Sequence, residues 1–110
     1  MDQNLAIENF SALAQDSRLA IFRLLVTKQP EGLPVGEISR LLNIVPSTLS
    51  GHLGILKRAG LLKSTRQQRE IHYAANLDHM GELVRFMLKD CCNGQVENCR
   101  DIISLDSISG

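Results

Sequence analysis

The stretch "EISRLLNIVPSTLSGHLGILKRAG", Glu37 to Gly60, restricts the fold more than any other part of the chain. It contains two apolar stripes at helical spacing, Ile38, Leu41 and Leu42, then Leu49, Leu53 and Leu56. Between them stands Asn43, which tolerates the left-handed conformation of a tight turn, and Pro46, whose missing N–H costs nothing at the first position of a helix. The spacing predicts a short helix ending at Asn43, a change of direction over Asn43 to Val45, and a second helix running from Pro46 to its stop at Gly60.

The flanks supply what such a pair needs in order to be buried. Ala6, Phe10, Leu13 and Ala14 predict an amphipathic helix over residues 3–14. "QDSRLAIFRLLVTKQPEG" predicts another, with Asp16 as N-cap, Leu19, Phe22, Leu25 and Val26 buried, and a stop at Lys28, Pro30 and Gly32. In "LLKSTRQQREIHYAAN", Leu62, Ser64 and Arg66 alternate. Glu70, His72 and Ala74 then share one face and Ile71 and Tyr73 the other, which predicts a two-stranded hairpin with its tip at Arg66 to Arg69. Leu77, Met80, Val84, Met87 and Cys91 are spaced by three, four, three and four, the seam of a helix that packs along another helix. The serine-rich "DIISLDSISG" after Cys99 is expected to be poorly ordered. Residues 1–99 therefore form one domain and residues 100–110 a tail, consistent with a length that leaves no room for a second core.

Charge points to a partner. Lysine plus arginine and aspartate plus glutamate number twelve each, yet no acid occurs from Ser47 to Arg69, which holds Lys57, Arg58, Lys63, Arg66 and Arg69. One face is expected to be basic while the remainder carries the compensating negative excess. The N-terminus is acidic where a signal peptide is basic, and the most apolar run, "LAIFRLLV", is short and interrupted by Arg23. A cytoplasmic protein with no membrane partner is expected. No Cys-x-x-Cys pair and no acid/base partner close to the cysteines argues for an enzyme.

Two short helices and a turn followed at once by a basic hairpin describe a winged helix-turn-helix, mainly α with a small β-hairpin. Projecting the helix from Pro46 puts Ser47, Gly51, Gly54 and Arg58 opposite the leucine stripe, flanked by Thr48, Ser50 and Lys57; this face would enter a major groove. Ser47, Thr48 and Ser50 are candidates to meet phosphates or base edges of double-stranded DNA at the helix start. Lys57, Arg58, Lys63, Arg66 and Arg69 are candidates to neutralise phosphates. His52 borders the leucine stripe and reads equally as a structural histidine or a DNA contact. Gly51 and Gly54 either permit close packing within the protein or let the backbone approach DNA.

"STLSGHLGILKRAGLL", followed by a polar hairpin with "HY" in its return strand, resembles the recognition helix and wing of the ArsR/SmtB family of metal-sensing repressors, over roughly Leu5 to Cys99. The resemblance implies a homodimer built on the first and last helices. It also implies a palindromic operator bound through two recognition helices and released when a metal or metalloid binds. Two familiar sensor sites are not carried over. The segment "LPVGEISRL" has no ligand-quality residue except Glu37, and the last helix offers only Asp78, His79 and Glu82 toward an interhelical zinc site. Val45 also replaces the family's usual N-cap hydroxyl.

The chain's three cysteines, Cys91, Cys92 and Cys99, all lie in "KDCCNGQVENC". This resembles the arsenite- and antimonite-sensing subset, which has a vicinal pair at the end of the last helix and a third cysteine several residues later. Soft thiolates select soft acceptors, and three sulfurs complete a trivalent arsenic centre, whereas structural zinc needs a fourth ligand. A site near a helix C-terminus disfavours thiolate anions, but condensation of neutral arsenous acid with three thiols leaves a neutral product. Asn93 and Gly94 form turns, so Cys99 can double back to the pair. The expectation is an As(III)/Sb(III)-responsive repressor that binds DNA as an unliganded homodimer, without a cofactor in the DNA-bound form. The alternative is a winged-helix repressor sensing thiol oxidation or a soft metal such as Zn(II) or Cd(II). The bland reading of the cysteines is a core residue at Cys91 and incidental thiols at Cys92 and Cys99.

Overall fold

Residues 1–89 are described by a computed structural model. Its elements are α1 (Gln3–Leu13), α2 (Asp16–Val26), β1 (Leu33–Pro34), α3 (Val35–Leu42), α4 (Pro46–Arg58), β2 (Leu62–Gln67), β3 (Glu70–Ala75) and α5 (Leu77–Leu88). Among the described residues no helix is long and apolar enough to cross a membrane. The tail 100–110 and all three cysteines lie outside the described residues.

The turn between α3 and α4 forms where its residues demand it. Asn43 adopts the left-handed conformation, φ 55° and ψ 48°. The Ile44 N–H donates to the Ser39 carbonyl at 3.1 Å, and the Ser39 hydroxyl donates to the Ile44 carbonyl, so the three-residue connection is bonded back onto α3. Pro46 opens α4, and Gly60 ends it at φ +88°. There the N–H of Leu61 donates to the Leu56 carbonyl and that of Gly60 to the Lys57 carbonyl, both at 3.0 Å. This Schellman closure satisfies carbonyls that the helix end would otherwise leave open.

Leu49, Leu53 and Leu56 of α4 are buried with Ile21, Phe22 and Leu25 of α2, Ile38 of α3, Leu61 and Leu62 in one core. Full burial of each such apolar side chain stabilises by about 1.5–3 kcal/mol, so α4 is fixed by its inner stripe, while Ser47, Thr48 and Ser50 stay exposed.

Several expectations need correction. Gln15, not Asp16, is the N-cap of α2. Its backbone is extended, and its side-chain oxygen accepts from the Arg18 N–H at 2.8 Å, leaving Asp16 as the first helical residue, where its charge suits the helix dipole. Leu19 and Val26 are exposed, because the face of α2 turned to α4 holds Ile21, Phe22 and Leu25 instead. On α1 the apolar Phe10 is exposed and the polar Asn9 fully buried. The core admits that amide because both ends are bonded. Nδ2 donates to the Leu5 carbonyl and Oδ1 accepts from His79 Nε2, each at 2.8 Å, tying α1 to α5.

The wing is a three-stranded antiparallel sheet in the order β1-β3-β2 rather than a lone hairpin. β1 is two residues long, pairing Leu33 with Tyr73 and Pro34 with His72, too short to show any alternation. The hairpin register puts Ser64 opposite Tyr73, Arg66 opposite Ile71 and Gln67 opposite Glu70, with Gln68 supplying the positive φ (59°) that a two-residue tip requires.

On α5 the side chain of Asn76 caps the helix by accepting from the His79 N–H at 3.2 Å. Leu83 is the α5 residue buried in the protein's own interior, while Leu77 and Met87 of the expected seam stand 45% and 56% exposed. Met80 of the same seam packs against the core and Val84 is half-buried, so the seam is turned outward at Leu77 and Met87 and inward at Met80.

Candidate nucleic-acid interface

The outer surface of α4 carries the predicted face. Ser47, Thr48 and Ser50 are exposed at and just after its N-terminus. Val45, at the N-cap position, makes no side-chain hydrogen bond, and the first intrahelical acceptor, the Val45 carbonyl, takes the N–H of Leu49 at 2.9 Å. The amides of Ser47 and Thr48 thus precede the helical ladder on exposed residues. Together with the helix dipole they suit an anionic phosphate.

The two glycines on this face prove to be different. A Cβ added at Gly51 would meet nothing within 4 Å, and one added at Gly54 would first meet the guanidinium of Arg58, at 3.2 Å. Gly51 therefore packs against no other element of the described chain, and the nearest neighbour of Gly54 is a side chain of its own helix. Packing against another element of the described chain does not account for Gly51. Gly54 additionally gives Arg58 a groove along the helix in which its side chain lies.

His52 is half-buried at the border of the stripe. Its Nδ1 lies 3.4 Å from Arg18 Nη1 of α2, and Arg18 Nε donates to the Ala12 carbonyl at 2.6 Å. Sequence reasoning missed Arg18, since no local pattern relates residues 34 positions apart.

Lys57 and Arg58 in the last turn of α4, Lys63 and Arg66 on β2, and Arg69 at the wing tip are all exposed. Among the described residues none of the five takes part in an ion pair; the pairs there are Arg40 with Glu37 and the longer His72 with Glu70. Each such cation that meets a phosphate releases condensed counterions, so alanine at Lys57 or Arg66 should weaken binding to all sequences alike. The slope of log affinity against log salt should fall by about one for each phosphate contact removed, measurable by anisotropy across a salt series.

Glu37 is committed elsewhere. Arg40 donates to both of its carboxylate oxygens at 2.8 and 2.9 Å, and this hydrogen-bonded guanidinium holds the carboxyl below its ordinary range. His79 is likewise a tether rather than a surface residue. Its ring is bonded to Asn9 and packed on Gly60, where an added Cβ would come within 2.8 Å of it. Cys91, Cys92 and Cys99 lie outside the described residues.

Residues 13–65 match the family model described as a helix-turn-helix domain. YbzH of Bacillus subtilis, an uncharacterized HTH-type transcriptional regulator, is 34% identical over 74% of this chain and 93% of its own length. The structure of HlyU from Vibrio cholerae is similar at a TM-score of 0.62 and 32% identity, over 79% of this chain and 97% of that one. The homodimeric winged helix-turn-helix DNA-binding domain of Mb0332 from Mycobacterium bovis is similar at 0.62 and 26%, over 79% and 81%. These relatives are regulators and not enzymes. On that identity and coverage, and with a recognition helix and basic wing of this geometry, the chain belongs to the winged helix-turn-helix transcriptional regulators of the ArsR/HlyU type.

Proposed function

We propose that the protein is a repressor that binds operator DNA as an unliganded homodimer and releases it when Cys91, Cys92 and Cys99 bind As(III) or Sb(III). The observation that carries this reading is the thiol triad itself. All the cysteines of the chain follow α5 in sequence, Cys91 and Cys92 soon after Leu88 and Cys99 further on, and their number suits a trivalent metalloid. On binding arsenous acid, three As–S bonds replace three As–O bonds and each thiol proton leaves in a water molecule, so neither oxidant nor ionised thiol is required.

Support for the dimer comes from the two outer helices. Ile7 and Phe10 of α1 and Leu77 and Met87 of α5 are large apolar residues exposed at 42–56%, on the elements that Asn9 and His79 hold together. A twofold partner would cover them, as suits a chain similar to the homodimeric Mb0332 domain. The dimer would offer two α4 faces to one duplex, with Ser47, Thr48, Ser50 and His52 toward the groove and the five cations on the backbone. Because Cys91 and Cys92 follow soon after α5 in sequence, a ligand there would act on the dimer contact by a short route along the chain.

The test is fluorescence anisotropy on a labelled duplex that the protein has selected from random sequences, with arsenite, zinc, cadmium or peroxide added in separate arms. Arsenite should lower affinity by about 5- to 150-fold, the span of a coupling free energy of about 1–3 kcal/mol. Release by peroxide, zinc or cadmium with arsenite inert would replace metalloid sensing by thiol oxidation or soft-metal sensing.

A further inference from the structure

We propose that Arg18 is a positioning residue for DNA recognition. It holds His52 in the neutral tautomer whose Nε2–H points outward, as a donor to an acceptor oxygen or nitrogen of the operator. The inference rests on the reading of α4 as the DNA-facing helix and adds to it a residue from α2.

Arg18 is anchored before it reaches His52. Its backbone N–H is bonded to the Gln15 side chain at 2.8 Å and its Nε to the carbonyl of the buried Ala12 at 2.6 Å, so the guanidinium is held at the junction of α1 and α2. From there Nη1 reaches His52 Nδ1 at 3.4 Å. A guanidinium has five donors and no acceptor, so this contact requires a lone pair on Nδ1. The ring proton is then on Nε2. Among the described residues Nε2 has no hydrogen-bond partner, yet it is not among the buried polar atoms left without one, so it is at least partly accessible. A ring with one nitrogen anchored to the fold and the other free at the edge of the DNA-facing surface reconciles the two readings of His52. It is a structural histidine through Nδ1 and a recognition residue through Nε2.

Two substitutions separate these halves. Asparagine places an amide oxygen where Nδ1 stands and keeps the acceptor for Arg18, with nothing at the position of Nε2. Glutamine places an amide N–H near Nε2 and gives up the acceptor at Nδ1. His52→Asn should melt like the wild type and lose about tenfold in operator affinity, more if the acceptor is a charged phosphate than if it is a neutral base edge, while His52→Gln should bind within about threefold of wild type. If the acceptor is a phosphate, His52→Asn weakens all duplexes equally; if it is a base, the loss is confined to the selected operator. In ¹⁵N-resolved spectra of the ring, wild-type His52 should be the Nε2–H tautomer, and Arg18→Met should give a mixture together with weaker DNA binding.

Wild-type affinity in His52→Asn would overturn the proposal. So would an Nδ1–H ring in the wild type, or an affinity loss in Arg18→Met with the tautomer unchanged. Failure of the underlying reading is separate: alanine at Ser47 and Lys57 would then also leave DNA binding intact.

Discussion

Gly32→Ala should destabilise the protein by at least about 3 kcal/mol, read from urea unfolding, a large share of the roughly 5–15 kcal/mol that holds a domain of this size together. Gly32 has φ +73°, and a Cβ there would stand 2.1 Å from the Tyr73 carbonyl oxygen and 2.7 Å from its carbon. Backbone atoms cannot swing aside as a lysine tip can. The strand pair Leu33–Tyr73, which fastens the wing to α3 through β1, has to open. The same variant should therefore lose wing order first, with amide exchange rising at β3 before it rises in the leucine core. An unfolding curve that superimposes on wild type would show that the backbone at this site relaxes freely.

Gly51→Ala should do the opposite to the fold. A methyl group there meets nothing within 4 Å, so it adds only helix propensity, about 1 kcal/mol of stability for an exposed interior position. Operator affinity should nevertheless fall tenfold or more, about 1.4 kcal/mol, because on the proposed reading the methyl would occupy space that the close approach to DNA requires. Gly54→Ala should lose affinity by a partly different route, since its methyl first displaces the Arg58 guanidinium. A more stable Gly51→Ala protein that binds as tightly as wild type would remove the close approach from the account.

What the sequence made legible was local. Asn43, Pro46 and Gly60 mark the ends of α3 and α4 because each residue type has a backbone preference that no tertiary contact had to override. The inner stripe Leu49, Leu53, Leu56 followed from the helical period alone. The helix boundaries of α2 shifted by one cap because Gln15 accepts from the Arg18 N–H as well as a shorter side chain would. Pairings across the chain were illegible. β1 exists only through its contact with β3, and buried Asn9 is acceptable only because His79, 70 residues away, completes its hydrogen bonds. The exposed cations of α4 and the wing were readable as a run without acids, but Arg18 lies outside that run and is joined to His52 by the fold. Phe10, Leu77 and Met87 were assigned to apolar stripes correctly as to pattern, yet they lie on the outside of the chain. Periodicity reports that a face is apolar without reporting what covers it.

The central claim is that three thiols just beyond α5 control the hold of α4 on DNA. The direct measurement is operator affinity with and without arsenite for the wild type beside Cys91→Ser, Cys92→Ser and Cys99→Ser. Without arsenite all four proteins should bind the duplex equally, since none of the three cysteines is among the residues proposed to contact DNA. With arsenite the wild type should release it, and each variant, left with two sulfurs for a centre that takes three, should respond only at much higher arsenite or not at all. Equal release of all four proteins by arsenite, or release of none, would contradict the account.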